Sequence, residues 1–146
     1  MAEYRLGMIY FRRKDFDNAI KCIEKAQKRG VEPDRIIFAD KISNAEHLAR
    51  HRLADLFIDT FPYTAHTTCS DALWSSLPVV TRIGQSFASR VSASLLIAIG
   101  LSELITKTEK EYEELTFKIA NNKSLLNEIK KKLTKNKTIK SLFNTK

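Results

Sequence analysis

The amino-acid sequence predicts an α/β fold: half of a doubly wound domain of parallel strands and covering helices, prefaced by a helical hairpin. Three observations predict it. Short continuous apolar runs, Ile36-Ile37-Phe38-Ala39, Leu56-Phe57-Ile58 and Pro78-Val79-Val80-Thr81, have the length and character of strands buried on both faces. Helical stretches separate them, as parallel connections require. The first thirty residues instead space their apolar side chains at helical intervals throughout.

Taken in order, Leu6, Ile9 and Tyr10 line one helix face, Arg13-Lys14-Asp15 interrupts, and Phe16, Ala19, Ile20, Ile23 and Ala26 line the next. Leu6-Gly7, Tyr10, Ala19 and Ala26 resemble a single tetratricopeptide repeat, in which small residues let two helices approach and aromatics fill the gap. A plain helical hairpin accounts for the same residues. Neither can bury its apolar face alone, so the unit must stack on the rest of the chain or on neighbours. Pro33 and Asp34 turn the chain towards the first strand, and Ser43 is placed to cap a helix running through His47 and Arg50. The Leu56-Phe57-Ile58 strand leads through a loop into a helix around Asp71 to Leu77. After the strand at Val79, Gly84 precedes a helix over roughly Ser86 to Ile99. Glu103-Leu104-Ile105 is a weak strand, and Tyr112, Leu115, Ile119, Leu125, Leu126 and Ile129 mark the apolar faces of closing helices. The division is thus a hairpin at 1–30 and an α/β domain at 31–146.

Composition bounds the function. A hydrophobic fraction of 43% supports a real core. The longest apolar candidate, Ala93 to Leu101, is too short to span a bilayer, and the opening Met1-Ala2-Glu3-Tyr4-Arg5 lacks the layout of a signal peptide. Cys22 and Cys69 stand far apart without metal-ligand spacing, which fits a reduced, cytoplasmic setting. The net charge of +8 is concentrated after residue 106, where eleven lysines face five glutamates. Without interleaved arginines and aromatics, that tail reads as a solvated helix face, and a nucleic-acid partner ranks last.

In an open parallel sheet, ligands bind outside the carboxyl ends of the strands. That directs attention to 40–44, 59–70 and 82–87. The middle segment, Asp59-Thr60-Phe61-Pro62-Tyr63-Thr64-Ala65-His66-Thr67-Thr68-Cys69-Ser70, places hydroxyls directly before a helix. Free N–H groups and the helix dipole there suit an anion such as phosphate, and the hydroxyls add donors. Asp71, one turn further, is able to accept from a ribose diol. Equally, Thr67 or Thr68 would cap the helix and Asp71 complement its dipole with no ligand at all.

A resemblance separates those readings. From about Gly30 onward, the stretch His47 to Arg90 resembles the C-terminal catalytic region of O-linked N-acetylglucosamine transferases. The likeness rests on Leu53-Ala54-Asp55, His66-Thr67-Thr68, Asp71-Ala72-Leu73-Trp74, Leu77-Pro78-Val79-Val80-Thr81 and Phe87-Ala88-Ser89-Arg90-Val91, with Ser141-Leu142-Phe143-Asn144-Thr145 near the end. Bacterial homologues behind tetratricopeptide arrays are the nearest in pattern. The resemblance implies the C-terminal Rossmann-like half of a GT-B glycosyltransferase, an inverting enzyme that binds UDP-N-acetylglucosamine without metal or other cofactor and glycosylates Ser or Thr of proteins. By position, His66, Thr67 and Thr68 match the triplet on the diphosphate, and Asp71 the ribose carboxylate. His47 matches the imidazole stacked on uracil, and Arg50 the arginine beside the base. Ile42 falls where backbone groups read the uracil edge. Asn44 stands where animal enzymes carry a ribose-contacting lysine. Sibling enzymes that use GDP-fucose keep the sugar open.

The remaining residues receive structural readings. His51 is expected at the surface, Trp74 in the core, Arg90 in a salt bridge, and Cys69 as a small filler with no adjacent base. The family's catalytic histidine and a phosphate-binding lysine belong to a first half that this sequence does not resemble. The expectation is therefore an incomplete enzyme, inactive alone, with a protein acceptor or the missing half as partner. The alternative is a non-catalytic repeat-type interaction module with a vestigial sugar-nucleotide pocket.

Overall fold

The computed structural model describes residues 42–143 continuously, with isolated positions between Ile20 and Ala39. The chain forms two compact units, residues 1–41 and 42–146. In the first, Ile20, Lys21, Glu24 and Gln27 are helical, and the Lys28 N–H donates to the Glu24 carbonyl at 3.0 Å. The repeat-like face of Leu6, Tyr10, Ala19 and Ala26 and the strand at 36–38 lie outside the described residues, as does Cys22.

The second unit begins with α1, Asn44–His51, opened by a complete capping box. The Ser43 hydroxyl accepts from the Glu46 N–H while the Glu46 carboxylate accepts from the Ser43 N–H at 3.1 Å. Three parallel strands follow, β1 Phe57–Ile58, β2 Val79–Arg82 and β3 Ile105–Thr106, with β2 in the centre. Phe57 pairs with Val79, Ile58 with Val80, Thr81 with Ile105 and Arg82 with Thr106. Successive strand residues face opposite ways, yet Val79, Val80 and Thr81 are all fully buried, so both faces of β2 are covered. The crossovers are α2, Thr67–Trp74, and α3, Val91–Ala98. The closing helices are α4, Glu109–Ala120, and α5, Lys123–Ile139.

The core gathers Leu73, Leu77, Leu96, Ile99, Leu101, Leu104, Tyr112, Ile119 and Leu133 around β2. Each fully buried aliphatic contributes roughly 1.5–3 kcal/mol. The exposed ion pairs by which α5 reaches back, Lys130 to Asp55 at 2.8 Å and Lys132 to Glu103 at 2.5 Å, contribute about 1 kcal/mol or less each. Burial therefore holds the layers together, and the lysines set the register of α5. No helix among the described residues is long and apolar enough to cross a membrane.

Four sequence expectations shift. The helix expected around Asp71 begins at Thr67, so Thr67 and Thr68 form its first turn. The helix after Gly84 divides into a 3-10 turn, Phe87–Ser89, and α3. The Gly84 N–H donates to the Ser89 carbonyl at 3.0 Å, and a Cβ at Gly84 would overlap the Ser89 side chain, so this turn is drawn tightly back on glycine. The third strand lies at Ile105–Thr106, after a 3-10 turn at Ser102–Leu104. Finally, Trp74 is 52% exposed and not core, because α2 turns it outward against Phe143, with Lys137 beside its ring.

Candidate functional site

The carboxyl end of β1 opens into the hydroxyl-rich loop, and that loop ends at the first turn of α2. This turn, like the start of α3, lacks the side-chain cap that opens α1, α4 and α5. Its cap residue, His66, makes no side-chain cap bond, and no acidic residue stands in the first turn. By contrast, α1 and α4 close theirs with capping boxes and α5 with Asn122. Thr67 and Thr68 are exposed on it. An uncapped helix start with two exposed hydroxyls presents donors and the positive end of the dipole to solvent, which suits an anion.

The loop is fixed from behind. The Thr64 N–H and hydroxyl both donate to the Ala88 carbonyl, at 3.0 and 2.8 Å, and His66 Nε2 lies 3.4 Å from the same oxygen. The Ser92 hydroxyl donates to the Ala65 carbonyl at 2.6 Å. The Tyr63 ring stacks on His66, with centroids 4.8 Å apart, and Phe87 meets His66 edge-on at 6.1 Å. Tyr63 and Phe87, which the sequence reading passed over, are 63% and 82% exposed. Exposed aromatics beside a loop His were the available signal.

From the other side α1 packs on α2, tied by the Ser75 hydroxyl donating to the Leu48 carbonyl at 3.1 Å. This packing brings His47, Arg50 and Asp71 together. Arg50 Nη2 lies 3.1 Å from His47 Nδ1. A guanidinium only donates, so Nδ1 accepts and the imidazole proton sits on Nε2. Burial lowers the His47 pKa from its ordinary value, His51 and Arg50 lower it further, and the nearby Asp71 carboxylate opposes them. His47, Arg50, His66 and Asp71 are half-buried, accessible at one edge. Ile42 is 38% exposed just ahead of the Ser43 cap, and Asn44 is exposed at the start of α1.

Two structural expectations need correction. His51 is buried at 8% exposure and not at the surface; its Nδ1–H donates to the His47 carbonyl at 2.8 Å, and its ring stacks with Phe57. Arg90 is exposed and has no ion pair among the described residues, because no acid is brought near its turn. Cys69 is fully buried, and desolvation pushes its thiol up to about 12, so it is a filler. No cluster of three or more His, Cys, Asp or Glu suited to a metal occurs among the described residues.

The model of glycosyl transferase family 41 matches residues 8–146. The UDP-N-acetylglucosamine--peptide N-acetylglucosaminyltransferase of Caenorhabditis elegans is 37% identical over 125 residues, 86% of this chain and 10% of that protein. A probable enzyme of the same name from Arabidopsis thaliana, SEC, is 39% identical over 121 residues, 82% of this chain and 12% of the relative. The structure of an O-GlcNAc transferase mutant from Thermobaculum terrenum superposes with a TM-score of 0.78 at 28% identity, covering 88% of this chain and 24% of the other. The fold is therefore the Rossmann-like half of a GT-B enzyme. The chain spans about a tenth of the length of those curated relatives. With the match running over residues 8–146, the chain belongs to glycosyl transferase family 41.

Proposed function

We propose that this chain binds a uridine diphosphate sugar, UDP-N-acetylglucosamine, and forms the donor-binding part of an enzyme that transfers the sugar with inversion to Ser or Thr of proteins. The observation that carries the proposal is the meeting of two features at one sheet edge. The uncapped first turn of α2 presents Thr67 and Thr68, and the same helix carries Asp71 beside His47 and Arg50 of α1. A nucleoside diphosphate has this layout of needs: donors for the phosphates, a carboxylate for the ribose diol, and a flat partner for the base.

In this reading the helix dipole, the N–H groups of the first turn and the hydroxyls of Thr67 and Thr68 neutralise the diphosphate, with His66 at the turn's edge. Asp71 accepts from the ribose, and neutral His47, steadied by Arg50, offers its ring face to uracil. Ile42 contributes only backbone groups. Family membership and the names of the relatives support the donor and the acceptor class.

The test is thermal. UDP should raise the melting temperature through preferential binding to the folded chain, and GDP should raise it less. Thr68→Ala should weaken UDP about ten-fold or more, since losing a hydrogen bond to a charged group costs roughly 1.5–3 kcal/mol. Equal shifts with both nucleotides, or an indifferent Thr68→Ala, would remove the assignment.

A further inference from the structure

Asp59 follows β1 directly and is 1% exposed. Its Oδ1 accepts from two backbone N–H groups, Thr60 and Ala65, each at 2.8 Å, and its Oδ2 accepts from the Thr81 hydroxyl at 2.6 Å. Its main chain is fixed as well. The Asp59 N–H donates to the Val80 carbonyl at 3.1 Å, and the Tyr112 hydroxyl donates to the Asp59 carbonyl at 2.5 Å.

A buried carboxylate is costly to desolvate, and closing a surface loop does not demand one. What it supplies here is two strong acceptors aimed in different directions, one at the loop and one at the central strand. Ala65 is the residue just before His66-Thr67-Thr68. It is held at both ends, its N–H by Asp59 and its carbonyl by Ser92. The first turn of α2 is thereby tied to the sheet through the Asp59 side chain, alongside the Ser92 and Thr64 contacts to its flank.

We propose that Asp59 is the positioning residue of the donor site, holding the first turn of α2 to the end of the central strand through Ala65 and Thr81. At 1% exposure it acts through Ala65 and Thr81, from behind the turn. The inference rests on the donor-binding reading above, and its test includes a readout that does not.

The experiment compares the full chain with Asp59→Asn, Asp59→Ala and Thr81→Val, measuring UDP affinity by calorimetry and amide exchange at Ala65 and Thr60 by NMR. Asp59→Asn keeps a carbonyl for the two amides and turns its NH2 towards the Thr81 oxygen, so UDP affinity should stay within about three-fold. Asp59→Ala should lose about ten-fold or more, with the Ala65 amide exchanging faster. Thr81→Val leaves Oδ2 without its donor and should show a smaller change of the same kind in both readouts. An Asp59→Ala chain that melts lower but binds UDP like the parent would overturn the proposal. So would an Asp59→Asn chain as impaired as Asp59→Ala, which would assign the effect to charge instead of acceptor geometry. Should Asp59→Ala not fold, Thr81→Val decides: unchanged affinity and unchanged exchange at Ala65 sink the proposal. Should the parent itself not bind UDP, the donor reading falls, and exchange at Ala65 in Asp59→Asn and Thr81→Val still decides whether Asp59 positions the loop.

Discussion

His47 sits where three charges compete over one imidazole. Burial disfavours its cation, Arg50 and His51 add to that, and only Asp71 pulls the other way. Arg50 also donates to Nδ1, a contact that protonation would turn into two donors facing each other. We expect an NMR titration of the His47 ring to show a midpoint below the ordinary 6.5, falling further in Asp71→Asn and rising in Arg50→Gln. A midpoint at or above that value would show Asp71 to dominate. The sign for stability follows: a depressed folded-state pKa means the unfolded chain binds the extra proton first. This contribution is therefore complete above the unfolded value and is lost as the pH falls through the folded one. At this scale the sequence was readable where a residue's neighbours are local. The Ser43 cap and the hydroxyls at 67–68 were legible from the sequence, and the structure adds Glu46 as the partner of that cap. The burial of His51 and the exposure of Trp74 were not, since each depends on which side of its helix faces β1 or Phe143.

Helix ends explain most of what differs at the level of elements. Helices opening on Ser or Thr with Glu three residues on, at Ser43 and Thr108, announce themselves. α2 carries no such signal because its first turn is left open, and so the sequence suggests a later start. The strands β1 and β3, two residues each, are too short to leave a pattern beyond one or two apolar residues. Both crossover helices end alike. The Leu77 N–H returns to Ala72 and the Ser76 N–H to Leu73; the Leu101 N–H returns to Leu96 and the Gly100 N–H to Ile97. These are Schellman ends, with φ of 64° at Ser76 and 75° at Gly100, each delivering a buried leucine to the core. Gly100→Ala adds a Cβ in a left-handed conformation and 3.0 Å from Asn136 Nδ2, itself bonded to the Ile99 carbonyl at 2.7 Å. Urea denaturation should show a loss of roughly 1–2 kcal/mol. Ser76→Gly removes about 1 kcal/mol of left-handed strain but also the hydroxyl that accepts from Lys137 at 2.9 Å, worth a similar amount. It should leave stability nearly unchanged.

At the scale of the whole molecule, the proposed donor site lacks an assigned means of activating an acceptor. Transfer to a hydroxyl needs a base within hydrogen-bond reach of it. The chain has three histidines. His51 is buried with its Nδ1 on a backbone carbonyl, His47 is engaged by Arg50, and His66 lies between Tyr63 and Phe87 at the edge of the first turn of α2. Three of the lysines on α5 are engaged as well. Lys130 and Lys132 are paired with Asp55 and Glu103, and Lys137 donates to the Trp74 carbonyl and the Ser76 hydroxyl. Lys130, Lys132 and Lys137 thus link α5 back to the rest of the fold. The chain spans about a tenth of its curated relatives, and the proposed reading assigns the acceptor wall and the base to the length those proteins have beyond it. The expected outcome with radiolabelled UDP-N-acetylglucosamine and acceptor peptides is binding without transfer by this chain alone. Label should appear in the peptide only when a segment carrying the other half of the fold is added. Robust transfer by this chain alone, surviving His66→Ala, would place a complete active site within these residues and refute the reading of the chain as the donor-binding part.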